Sequence, residues 1–576
     1  MSSHAILRCA RDYPLALAAP LVIAATAWVM NNWDKEEALE DMSKSNDLGT
    51  FEKSDHGLVL FDLPNIDREP SKVDINELAS IMNVLHKYEV SPLRGFLPHR
   101  DPLQRLSGKY EKWEDLAKNV SDLILAKQIR PLVDKLPIIG IDELESQSEL
   151  RRAHLILCCL AHAYVWGMPD AALMIPKGLA IPLCAVSDKL SMPPILTHTD
   201  IVLYNWRKFD TKGEICLKNL ATTAQIVGGP DEAWFYEITV EIEAVGAPAI
   251  LSVMLCQDAI KRLRASGTKA IMKDEPMTAN MLPYIEDCKQ SIYSGDMSTR
   301  DVVLFLTGQL EIVNNAIRAM VASIERMSEG CMPFIFYHRI RPFLSGWKNN
   351  PTLPDGMIYE GVKGNAPQSY YGGSAAQSPL LPFLDISLGV SHENSRSQGF
   401  LLAMREYMLK PHRDFLEYQS TVANIREFIT TTLTDAGHHT ELDGNSEKKG
   451  EESEDVTILS TLRFTYNSCI DSLKRFRDAH MNIVHVYIIA QQRMIADGAT
   501  DAGSGRQGGD LWRTGRAESP KNGSQFVEQA TGDSCISPNG SRKSLVGAAG
   551  GKGTGGTDLM KFLRPIRDSV KAAQVR

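Results

Sequence analysis

Apolar residues recur along this chain mostly at steps of three and four. From about Val90 onward the text is dense with them and punctuated by prolines, whereas residues 1–60 look peripheral. Between Val303 and Met327 apolar side chains fall at 303, 306, 310, 313, 317, 320, 324 and 327, which predicts a helix with one buried stripe. Residues 397–409 and 413–429 also read as helices. No run of evenly spaced alternating strands occurs, so an all-β or dinucleotide-binding α/β architecture is a poor reading.

The segment Asp455–Ala496 is the most informative. Asp455 is a plausible N-cap and Gly498 a plausible stop. Between them Tyr466, Ile470, Leu473, Arg477, His480, Val484 and Tyr487 recur at steps of three and four, placing His480 on the buried stripe with Arg477 one turn before it. His485 lies about 140° around the helix from His480 and is not expected to share its target. Two segments read as loops. Residues 437–454 are polar and charged, and residues 498–556 hold 15 of the 41 glycines. Such text cannot bury enough apolar surface to offset ordering entropy, so the longer one is expected to be a mobile loop, either an insertion or an active-site lid. A helix is expected after it, Asp558–Val570.

Composition narrows the function. The 576 residues suffice for two or three domains, with 43% hydrophobic and 23% charged residues and a net charge of −9. No Lys/Arg-rich block stands out, so nucleic acid is not an expected partner. The ten cysteines form no CxxC pair and no zinc-ribbon spacing, which suits reduced core thiols in a reducing, cytoplasmic compartment. The N-terminus leaves a second option. Arg8 and Arg11 precede an apolar run, Pro14–Met30, followed by acidic residues. At 17 residues it falls short of the roughly 20 that span a bilayer. It reads either as a peripheral extension or as a membrane anchor for a cytosolic catalytic domain.

Chemical signals are few. Gly551-Lys-Gly-Thr-Gly-Gly556 matches GxGxxG, but it follows a polar glycine-rich loop instead of a strand, so a dinucleotide reading fails. No Walker motif, HExxH or GxSxG occurs. A lone histidine on an apolar helical face is most often a satisfied core residue; the alternative for His480 is an axial ligand to haem iron, with Arg477 on a haem propionate. Arg477 could equally be solvent-exposed or paired with a carboxylate. Three segments look too specific for filler: FIFYHRIRPFLSGW (334–347), YYGGSAAQS (370–378), whose small residues allow a flat ligand close to the backbone, and GTGGTDLM (553–560).

Together with AYVWG (163–167), PPILTHTDIVLYNW (193–206), RPFLSGWKNNPTLPDGMIYEGV (341–362), GGSAAQS (372–378), MREYMLKPHRDFL (404–416), the RDAH ending at His480, and GTGGTDLMKFL (553–563), these segments resemble the indoleamine 2,3-dioxygenase family from about Val90 to Val570. The resemblance implies an all-α, two-domain fold: a small helical domain over 61–226 and a large helical haem-binding catalytic domain over 227–576, behind an N-terminal extension over 1–60. It implies haem b, with His480 as proximal iron ligand and Arg477, paired with buried Asp385, on the propionate side. It puts the substrate carboxylate on Arg341, the indole against Phe336 and Phe235, and the small-residue strip Gly373, Ser374 and Ala375 over the haem. Thr554 falls on a threonine that closes over substrate.

Three positions depart from the better-known family pattern. The distal hydroxyl is Thr239 where serine is usual, and His198 and Ile201 replace a pocket aromatic and a cysteine. The activity implied is cleavage of the indole C2–C3 bond of L-tryptophan or a related indoleamine by O2, giving N-formylkynurenine of the kynurenine pathway, by an expected monomer. The cofactor carries the chemistry and the protein contributes position, dryness and electrostatics, with no strong distal base required. Two rivals stand beside it: a haem-binding paralogue of low activity acting as a haem or gas sensor, and a non-haem helical scaffold. Arg341, Phe336 and Thr554 favour the enzyme, because a sensor needs no carboxylate clamp or closing loop.

Overall fold

A computed structural model describes residues 75–266, 298–392, 395–442, 454–494 and 559–575. The expectations for Pro14–Met30, the loop 498–556, the GxGxxG text and Thr554 lie outside the described residues. The rest is mostly helical, as the periodicity predicts. The helices that matter here are α1 (Ile75–Lys87), α2 (Gln147–Trp166), α3 (Lys177–Leu190), α4 (Pro230–Ala265), α5 (Thr299–Glu325), α6 (Leu380–Ser387), α7 (Ser395–Arg405), α8 (Lys410–Val422), α9 (Ile425–Leu442), α10 (Glu454–Val484) and α11 (Leu559–Lys571). Among the described residues, strands amount to two small ribbons. Met174–Ile175 pairs in parallel with Ile358–Tyr359, and Trp206–Lys208 pairs antiparallel with Leu220–Thr222.

Local chemistry explains where the long helices begin. Ser146 and Glu149 form a capping box at the start of α2, and Ser298 and Asp301 do the same for α5. At the start of α4, Pro230 occupies the first turn, where its missing N–H costs nothing. The buried Glu232 carboxylate accepts the N–H groups of Ile226, Val227 and Gly228 at 2.8–2.9 Å, tying the preceding turn down. Helices α4, α5 and α10 pack side by side as the centre of the molecule, with α5 between the other two. The predicted stripe of α5 is buried at Val303, Leu306, Leu310, Val313, Ile317, Met320 and Ile324. Helix α4 is the one described helix long and apolar enough to cross a membrane, and it is a buried core helix.

Some element boundaries differ from the sequence reading, and the helix expected over 397–409 runs Ser395–Arg405. Residues 413–429 form two helices, α8 and α9, because Ala423 takes an extended conformation (φ −62°, ψ 118°). Asn424 there donates from Nδ2 to the Gln257 carbonyl of α4 at 3.3 Å. The polar stretch beginning at 437 is helical as far as Leu442. Helix α10 is followed without a break by a π-helical turn, His485–Ile489, and helical backbone continues to residue 494.

Candidate functional site

Helices α4, α5, α6 and α10, with the turn Phe336–Leu344 and the strip 373–378, line a cavity of about 490 Å³, mostly apolar, within the range typical of small-molecule sites. It collects His480, Arg477, Asp385, Arg341, Phe235, Phe336, Thr239, His198, Ile201, Gly373, Ser374 and Ala375. The fold thus brings to one space residues scattered from position 198 to position 480.

On the α10 wall, His480 and Arg477 both face the cavity. Burial, and next the Arg477 charge, lower the His480 imidazole to a pKa of about 4, so the ring is neutral with a lone pair available. Among the described residues nothing hydrogen-bonds to it, and its accessible surface opens onto the cavity. His485 is exposed and lies off the cavity. Arg477 is buried, and its Nη2 donates to both oxygens of Asp385 on α6 at 2.7 and 2.6 Å. Its Nη1 is buried without a partner. Burial alone would raise the Asp385 carboxyl, yet Arg477 and His392 hold it below its ordinary value. His392, which sequence reasoning missed, donates from Nε2 to Asp385 Oδ2 (2.9 Å) and meets Ser569 Oγ of α11 at 2.7 Å through Nδ1.

The α4 wall carries Phe235, Thr239 and Glu243 at intervals of four, on one face of the helix. The Phe235 and Phe336 rings lie 4.8 Å apart. The Thr239 hydroxyl donates back to the Phe235 carbonyl at 3.0 Å, so it presents oxygen lone pairs, not a proton, to the cavity. Arg341 opens the short helix Arg341–Leu344 and is buried, its guanidinium 5.3 Å from the Tyr337 ring centroid. Burial pushes its pKa down, so an anion on it would be favoured.

The strip 373–378 is held by a residue the sequence reading passed over. Fully buried Gln377 accepts the N–H groups of His198 (3.0 Å) and Ser374 (3.3 Å), and donates to the Gly372 carbonyl (2.9 Å). The Ser374 hydroxyl accepts the Ala376 N–H at 3.3 Å. His198 Nε2 lies 3.1 Å from Glu243 Oε1, which also accepts the Ser378 hydroxyl at 2.6 Å. Glu243 was also missed; its spacing from Phe235 and Thr239 was the signal that could have found it. Behind the His198 segment, His154 Nδ1 meets Asp200 Oδ1 at 2.6 Å and Cys158 lies alongside. These three offer metal-ligand atoms within 4.8 Å of one another. Asp200 Oδ2 already accepts the N–H and hydroxyl of Thr197, at 2.8 and 2.7 Å, and His154 Nε2 contacts the Pro193 carbonyl. The cluster therefore works as a clamp on residues 193–200.

A mostly helical protein thus places a neutral histidine and a half-paired arginine on one wall of an apolar cavity, and a second arginine, beside Tyr337, in the same lining as Phe235 and Phe336. The family model described as indoleamine 2,3-dioxygenase matches residues 84–573, and the chain belongs to that family. Relatives agree along most of the chain. The indoleamine 2,3-dioxygenase of Saccharomyces cerevisiae is 31% identical over 515 residues, covering 85% of this chain and 93% of its own. Indoleamine 2,3-dioxygenase 1 of Rattus norvegicus is 29% identical over 495 residues, 85% of this chain and 95% of its own. Indoleamine 2,3-dioxygenase nanC of Aspergillus nanangensis is 30% identical over 500 residues, 85% of this chain and 97% of its own.

Proposed function

We propose that this protein is a haem-dependent dioxygenase that opens the indole ring of tryptophan with O2, giving N-formylkynurenine. The observation that carries the reading is the convergence of His480, Arg477 and Arg341 with the Phe235–Phe336 pair on one apolar cavity. The residues fit haem b: His480 supplies a neutral imidazole for the iron, and Arg477 Nη1, buried and unpartnered, suits a propionate oxygen. When bound, the haem supplies the iron at which O2 is activated.

The chain's own residues do the rest. Arg341 takes the substrate carboxylate by a charge-assisted, two-point contact, which fixes orientation. Phe235 and Phe336 pack on the indole, and Ile201, Gly373 and Ala375 shape the space around it. Thr239 keeps its proton on the Phe235 carbonyl and so offers the reacting atoms no acid. Ser374 and His198 are polar groups on the same lining. The largely apolar lining lowers the local dielectric, which strengthens each of these contacts.

Arg341 provides the test. Breaking a buried carboxylate clamp costs on the order of 2–5 kcal/mol, so Arg341→Ala should weaken tryptophan binding by roughly 30- to 4000-fold. Arg341→Lys loses the planar fork and should recover only part. Both should load haem normally, whereas His480→Ala should not and His485→Ala should. A normal haem spectrum with an unchanged tryptophan saturation curve in Arg341→Ala would sink the assignment and favour a haem sensor.

A further inference from the structure

His392 joins the cavity wall to α11, and the end of α6 brings it there. That helix stops at Gly389, whose backbone is left-handed (φ +66°). Gly389 N–H returns to the Ile386 carbonyl at 3.2 Å and Val390 N–H to the Asp385 carbonyl at 2.8 Å, which closes the helix end. The chain then doubles back and sets His392 against the Asp385 side chain, with Nε2 2.9 Å from Oδ2. A carboxylate only accepts, so Nε2 carries a proton. On the opposite edge of the ring, Nδ1 lies 2.7 Å from the Ser569 hydroxyl of α11. The His392 side chain is 13% exposed and lines the cavity, as do Leu563 and Ile566 of α11. The residues after α11 are pinned separately. Arg426 Nε donates to the Ala573 carbonyl at 3.0 Å, and Asn467 exchanges two 2.9 Å bonds with the backbone of Val575.

The manner in which Asp385 is shared gives this contact its meaning. Arg477 meets the carboxylate with Nη2 alone, at 2.7 and 2.6 Å from the two oxygens, and Nη1 has no protein partner. An arginine and a carboxylate otherwise favour two parallel bonds from two nitrogens. His392 already occupies Oδ2, which holds the carboxylate against turning to accept Nη1 as well. The guanidinium is left with an unmet donor, and an anion is the partner that relieves it most.

We infer that His392 is a positioning residue for the haem, acting through Asp385 on Arg477 and through Ser569 on α11. The inference rests on the function proposed above, in which Arg477 serves a propionate. By holding Asp385 to a single-nitrogen contact, His392 keeps the Arg477 charge for that propionate. Through Ser569 it makes α11 part of the same support. With His392 gone, Asp385 takes both nitrogens, and Arg477 is satisfied inside the protein.

The test is the rate at which the ferric, haem-loaded protein gives up haem to excess apomyoglobin. His392→Phe should lose haem about tenfold faster or more, the worth of a hydrogen bond to a charged group. His392→Gln, which can still donate to Oδ2, should fall between that variant and wild type. Ser569→Ala keeps the His392–Asp385 bond but not its support, and should speed the loss by about two- to threefold. The dimethyl ester of haem has no propionate charge, so with it His392→Phe and wild type should agree to within about twofold. If wild type takes up no haem, the function proposed above falls and this inference with it. If wild type holds haem but His392→Phe releases it no faster, the inference is overturned and the function stands. The same holds if the ester is released faster by the same factor, because His392 then supports the fold alone. Should His392→Phe fail to fold, an unchanged rate in Ser569→Ala overturns the inference instead.

Discussion

Asp385 carries one charge and serves two partners. Its two oxygens hold Arg477 at 2.6–2.7 Å, and Oδ2 also contacts His392. The pair is 9% exposed on both sides, deep enough that losing one partner strands the other. Breaking such a pair typically costs about 3–5 kcal/mol, because the remaining charge is buried without compensation. Asp385→Asn keeps an acceptor and should sit toward the lower end of that range. The geometry adds a condition. Arg477 Nη1 is unpaired on the cavity wall, so an anionic propionate there would compensate the guanidinium when Asp385 cannot. Asp385→Asn should therefore destabilise the haem-free protein more than the haem-loaded one, as read from denaturant midpoints of both forms. Equal losses in the two forms would mean that Arg477 does not meet the cofactor.

At the scale of elements, the cavity depends on how the turn bearing Arg341 is fastened to α2. Leu196 N donates to His162 Nε2 at 3.2 Å, so the proton of this ring sits on Nδ1 and is donated to the Phe343 carbonyl at 2.6 Å. One imidazole thus joins the segment of His198 and Ile201 to the turn of Arg341. Trp166 Nε1 bonds the Ser345 carbonyl at 3.1 Å, and a side chain at Gly346 would meet the backbone nitrogen of Gly372 at 2.1 Å. His162→Phe should leave two polar backbone groups unsatisfied at about 1–3 kcal/mol each. It should raise the KM for tryptophan more than it lowers kcat, with His162→Gln intermediate. A wild-type KM and melting temperature in His162→Phe would show that the two walls are held some other way.

These cross-links also mark the limit of what the sequence discloses. The stripe of α10 was legible because one period of 3.6 governs its burial, and with it the placing of His480 and Arg477. The break between α8 and α9 was not, since no glycine or proline marks it and Asn424 is anchored by Gln257, 167 residues away. His162 was hidden for the same reason, its partner at Phe343 lying 181 residues distant, whereas Glu243 shares the helical spacing of Phe235 and Thr239 and only its partner Ser378, 135 residues distant, was out of reach.

For the whole molecule, the distribution of neutral buried histidines sets its response to acid. His162, between α2 and the Arg341 turn, and His412, on α8 with its ring 5.0 Å from Phe96, are almost fully buried. Burial lowers each from an ordinary 6.5 to about 4; the Phe343 carbonyl partly opposes this at His162, and Glu89 at His412. Between roughly pH 6.5 and 4 the unfolded chain binds protons at both positions that the folded chain refuses, so stability rises with pH across that window and is lost on acidification. A tenfold change in proton affinity corresponds to about 1.4 kcal/mol, which makes the combined loss on the order of a few kcal/mol. Asp385, held below its ordinary 3.8, loses its contribution only under that range, whereas burial raises the Glu232, Glu237 and Asp258 carboxyls, so the contribution of one histidine is read by comparing wild type with a variant that lacks it. His412 Nδ1 has no partner and Nε2 only a long 3.4 Å contact to the Glu89 carbonyl, so His412→Phe removes the titration at small cost in hydrogen bonding. Denaturation of wild type and His412→Phe across that window should show the variant falling less steeply with acid. Parallel curves would mean that His412 is protonated in the folded protein, or reached by water, well above pH 4.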